Sequence, residues 1–152
     1  MHRLSPSVTS RNSCGRFLGV CNEKNKSINF VIDYVVYPFE LMVSMGEDKE
    51  VFKKRLKKRL PEDMRHEVED EFCNTEFQAQ TVMFSGGMTA VWFRECPIKA
   101  SQYALIAHEV FHAVDFLFQR INIKLSNDSN EAYAYLLQYI TEQIYKKLWG
   151  KK

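Results

Sequence analysis

The residues His108-Glu109-Val110-Phe111-His112 combine two imidazoles and a carboxylate at a spacing that can do metal chemistry. On a helix, side chains four residues apart lie on one face about one turn from each other, so both rings can reach a single cation. The glutamate that follows the first histidine projects beside such an ion, where it can take a proton from water. An ordinary amphipathic helix with two half-buried histidines would show the same letters. The flanks argue against that simpler case, because Leu105, Ile106, Phe111, Val114, Phe116 and Leu117 leave little of the helix for water. A carboxylate buried there without a cation would carry a large desolvation cost.

A catalytic zinc site needs a third protein ligand and an open position for water. After His112 the candidates are Asp115, Asp128, Glu131 and Glu142. Asp115 lies beside His112 on the same helix and suits a hydrogen bond to a ligand better than ligation. Glu131 opens a second helical pattern after a polar turn over residues 122–130. Two antiparallel helices joined in this way would bring it toward the histidines, and the small Ala134 allows close approach. Asp128-Ser129-Asn130-Glu131 also fits a capping box with Asp128 as N-cap. Ligand is the preferred role for Glu131, with cap as the competing one. Tyr135, one turn further on the same face, is the first candidate for an oxyanion donor, ahead of Tyr133, Tyr139 and Tyr103.

His108, Glu109, His112 and Glu131, as they stand here, resemble the gluzincin metallopeptidases. The C-terminal half is also similar to minimal phage and bacterial proteins of that kind. The likeness covers Ala104 to Tyr139 well and Pro38 to Leu148 loosely. It implies zinc on His108, His112 and Glu131, with Glu109 as general base. Many thermolysin-type members carry an aspartate four residues after the ligand glutamate. Tyr135 stands there in this chain, and its phenol can make the same kind of hydrogen bond to a histidine.

A chain of 152 residues with 45% hydrophobic and 26% charged residues is expected to form a single globular domain. Its formal charge of +2 implies no general attraction to nucleic acid. No apolar run reaches signal-peptide or membrane-spanning length. Cys14, Cys21, Cys73 and Cys96 show no C-x-x-C spacing, which favours free thiols in a reducing compartment: the cytoplasm, or a host's cytoplasm for a phage product.

The elements that must position the motif follow from its neighbours. Residues 1–27 are polar and read as a flexible arm; residues 28–152 read as the zincin-like domain. β-formers crowd Phe30 to Ile32, Tyr34 to Tyr37 and Phe39 to Met45, with Pro38 as an interruption. Asp48 to Leu60 predicts a helix whose apolar stripe is Phe52, Leu56 and Leu60. Its basic run Lys53 to Arg59 is matched by six acids within Glu62 to Glu71, so a solvated, balanced face is preferred over a phosphate-binding one. His66 to Asp70 lacks a second histidine and reads as an exposed turn or helix. Gln80 to Phe84 and Met88 to Phe93 predict a hairpin about Ser85-Gly86-Gly87. Ser101 is the expected N-cap of the motif helix. A last helix, Glu131 to Trp149, should bury Leu136, Leu137, Ile140, Ile144 and Leu148.

The expected whole is α+β: a small twisted sheet packed on the H-E-x-x-H helix and a C-terminal helix. The expected activity is zinc-dependent hydrolysis of a peptide or protein substrate. An open strand edge would hold the extended substrate. The rival is an inactive binding or regulatory protein with a structural metal, whose fourth position a side chain such as Cys96 would close.

Overall fold

The computed structural model describes residues 27–73 and 76–150, so the expected arm lies outside the described residues except for Ser27. The fold is α+β. Strands β1 (Ile28–Asp33), β2 (Glu40–Met45), β3 (Ala79–Met83) and β4 (Thr89–Phe93) form one mixed sheet in the order β1-β2-β4-β3. β1 and β2 run antiparallel, as do β3 and β4, while β2 and β4 are parallel. A parallel pair needs a long crossover. Helices α1 (Lys49–Arg59) and α2 (Glu67–Glu71), joined by a 3₁₀ turn at Glu62–Met64, supply it.

Alternation along the strands gives the sheet two apolar faces. Leu41, Val43 and Met45 of β2, with Val91 and Phe93 of β4, join the core under α3 (Ala100–Arg120) and α4 (Asn130–Trp149). Met42, Ala90, Trp92 and Val82 point the other way and pack with Phe52, Leu56, Leu60 and Val68 of the crossover. The result is three layers, with the two long helices on one face and the two short ones on the other.

Two local expectations change. The β-prone Tyr34 to Tyr37 stretch is a bend, not a strand. Asp33 Oδ1 accepts from Val35 N–H at 2.9 Å, Val35 takes φ +60°, and Tyr34 drops into the core. Pro38, which has no N–H for a ladder, ends this bend ahead of β2. The N-cap position of α3 is Lys99, not Ser101. There the carboxamide oxygen of Gln102 accepts from the backbone N–H groups of Ile98 and Lys99, which satisfies donors at the helix start from within its first turn. The helix expected over Asp48 to Leu60 forms as α1, with Asp48 as its N-cap: the carboxylate accepts from Glu50 and Val51 N–H. His66 to Asp70 lies largely in α2, whose Val68 is buried.

Cys73 is a free thiol, while Cys14 and Cys21 lie outside the described residues. Among the described residues no helix is long and apolar enough to cross a membrane.

Candidate metal centre

Helix α3 carries the whole motif in the middle of its 21 residues. Ile106, Val110, Ala113, Val114 and Leu117 form its buried stripe and clamp it to the sheet and α4. That anchoring leaves the histidines on the opposite, solvent-facing side, where His108 is exposed and His112 half-buried. Their Nε2 atoms face each other at 3.2 Å, with ring planes 78° apart. Two nitrogens on a tetrahedral zinc at about 2.0–2.1 Å each would stand about 3.3 Å apart. The pair therefore already has the separation that one ion requires. His112 is further flanked by Phe116, whose ring stacks on it at 6.2 Å, and by Phe111 at 6.3 Å.

Glu109 lies to one side of that pair and is only 5% exposed. It faces β3, the edge strand that packs on α3. Thr81, in the middle of β3, donates its hydroxyl to Glu109 Oε2 at 2.6 Å; Thr81 Oγ1 also lies 3.1 Å from the Glu109 carbonyl oxygen. Nothing in the sequence pattern marks Thr81, since a threonine in a strand is ordinary. Only the register Thr81↔Val91 sets it opposite the motif.

Asp115 accepts from Tyr133 Oη at 3.1 Å and from Gln119 Nε2 at 2.6 Å. Asp115 is thus engaged by Tyr133 and Gln119, where the sequence suggested a hydrogen bond to a motif histidine. Burial, and then the neighbouring Asp115 carboxylate, raises the Tyr133 phenol above its ordinary pKa and keeps it a neutral donor. Tyr133 also packs on Phe118. It is the tyrosine of α4 with a defined partner near the motif, whereas Tyr135, ranked first from sequence, is 68% exposed.

Glu131 stands exposed in the first turn of α4. The capping box with Asp128 does not form. Ser129 holds the N-cap position, and its hydroxyl donates to Lys124 O and accepts from Ser126 N–H, tightening the loop instead. Because Tyr133 meets Asp115 and Phe118, the start of α4 lies alongside the part of α3 that follows His112. His108, His112 and Glu109 are thus brought together on α3, while Glu131 and Tyr135 remain on the solvent side of α4. Among the described residues no group of three or more His, Cys, Asp or Glu side chains is gathered into a metal cluster. Cys96 lies elsewhere, against Met45 O at 3.6 Å.

The basic run of α1 is occupied by carboxylates. Lys53 and Lys57 both reach Glu69, Lys53 also pairs with Glu50 at 3.0 Å, Arg55 pairs with Glu47, and Arg59 with Glu40 at 3.0 Å. Of the acidic stretch expected to balance it, Glu69 does so directly; Glu40, Glu47 and Glu50 supply the rest.

Comparison with protein-family models, curated proteins and solved structures gives no match for this chain.

Proposed function

We propose that this protein is a zinc-dependent peptidase of gluzincin type, with His108, His112 and Glu131 as ligands and Glu109 as general base. The observation that carries the reading is the approach of the two Nε2 atoms to 3.2 Å on a helix whose other face is locked into the core. Zinc there would supply Lewis acidity, which acidifies water and polarises a carbonyl. The remaining chemistry belongs to the protein. Glu109, shielded from bulk water, accepts a proton from the attacking water and delivers it to the leaving amine. Strand β3 ends the sheet next to α3, so its outer edge can pair with an extended peptide and lay a carbonyl along the motif. Beyond it a recess of about 320 Å³, lined by Phe93, Pro97, Leu105 and Ile106 with Gln78 and Gln102, can take an apolar side chain of that peptide. Tyr135 is the proposed oxyanion donor.

The decisive experiment pairs zinc analysis with cleavage of a mixed peptide library. Glu109→Gln should keep its zinc and lose about 10²–10⁴-fold in turnover. Equal turnover in that variant, or a zinc-loaded wild type that cuts nothing, overturns the reading. Glu131→Ala tests the third ligand separately: a ligand loses zinc affinity at least tenfold on removal, and a helix-end residue leaves it unchanged.

A further inference from the structure

Glu109 is a carboxylate with almost no contact with water, held on a helix whose register the core fixes. A carboxylate in that setting needs a donor, and the arrangement of that donor decides which way the acid points. Thr81 provides it. Its side chain is β-branched and stiff about χ1, and its strand is pinned to β4 by the pairs Gln80↔Trp92, Thr81↔Val91 and Val82↔Ala90. Both ends of the contact are therefore held by backbone structure. The hydroxyl has one proton and two acceptors within reach, Oε2 at 2.6 Å and the Glu109 carbonyl at 3.1 Å. The nearer acceptor is the charged one, and 2.6 Å is the length typical of a hydroxyl bound to a carboxylate.

We infer that Thr81 is the positioning residue for Glu109: from the middle of edge strand β3 its hydroxyl holds Oε2 and leaves Oε1 as the oxygen that exchanges the proton. The inference rests on the peptidase reading. It gives β3 two tasks. One edge of the strand is open to an extended peptide, and its helix-facing side orients the base. Strand and base are thereby kept in one fixed relation, so a carbonyl laid along β3 meets a carboxylate aimed by the same strand.

Thr81→Val keeps the side-chain volume and removes the donor; Thr81→Ser restores a hydroxyl. The zinc-loaded variants should be compared for kcat, KM and zinc affinity by chelator competition. The metal-free proteins Thr81→Val, Glu109→Ala and their double variant should be compared for melting temperature. Thr81→Val is expected to lower kcat at least tenfold, with KM and zinc affinity within about twofold of wild type. Thr81→Ser should recover kcat to within about threefold. The valine change should lower the melting temperature in the wild-type background and much less beside Glu109→Ala. An effect confined to KM, a serine variant no better than valine, or additive melting shifts would overturn the inference while leaving the peptidase reading standing. A wild type that hydrolyses nothing overturns both, and the melting cycle then reports only whether the contact exists.

Discussion

The two faces of the sheet use charge in opposite ways. On the α1/α2 face each ionic group named has a nearby counter-charge or donor: Glu47 is buried but held by Ser44 Oγ and Arg55, and Lys53 is buried but held by Glu50 and Glu69. For Lys53, burial pulls its pKa down, yet the hydrogen bonds it donates to Glu69 and Glu50 outweigh this and leave it raised. On the α3/α4 face the groups of the motif meet neutral partners instead. Two imidazoles meet at their Nε2 atoms, and a buried carboxylate is held by a neutral hydroxyl. The first face sets charge against charge, while the motif sets its titratable groups against neutral partners, an arrangement enriched at functional sites. That contrast, more than the motif letters, supports the site proposed on α3.

The contrast is most easily broken at the histidines. His112→Ala should weaken zinc binding more than about 100-fold by titration calorimetry, since removing a ligand costs more than removing a residue that supports one. Equal zinc binding in that variant would place the metal elsewhere. Next comes the core that fixes α3. Phe118 is buried between Tyr37 and Tyr133, and Phe118→Ala should cost about 3–5 kcal/mol in urea unfolding. The corresponding test on the other face is Asp48→Ala, which removes the α1 cap and should cost only about 1 kcal/mol.

The smallest effect is a pH dependence. Hydrogen bonds from the Ser85 hydroxyl and then from its backbone N–H lower the Glu67 pKa below its ordinary 4.5. A carboxyl whose pKa falls on folding contributes stability that is complete above the unfolded value and vanishes as pH drops through the folded one. Urea midpoints should therefore fall with acidification below about pH 4.5 more steeply in wild type than in Glu67→Gln. Parallel curves would show that the clamp on the β3–β4 turn contributes nothing.

That turn shows how much local sequence could convey. The glycines marked it correctly, and Gly87 does take φ +92°. Yet a Cβ at Gly87 would meet the Phe39 ring at 2.6 Å, a crowding set by a residue 48 positions earlier that no local pattern could reveal. The bend at Val35 was illegible for a related reason, since a β-branched residue at positive φ contradicts its own propensity. The sequence puts the cap of α3 at Ser101 and the structure at Lys99, where Gln102 reaches back over the helix start as the third helical residue of a capping box does.

Sequence alone determined the motif helix, the C-terminal helix, the hairpin and the juxtaposition of His108 with His112. Each depends on spacing within one element, where the helical or extended repeat dictates which side chains share a face. Tertiary structure decided the parallel pairing of β2 with β4, the burial of Glu109 against Thr81, the bond from Tyr133 to Asp115, and the placement of Glu131 and Tyr135 on the solvent side of α4. These depend on how separate elements dock, and docking is governed by volumes and registers that no single stretch of chain contains.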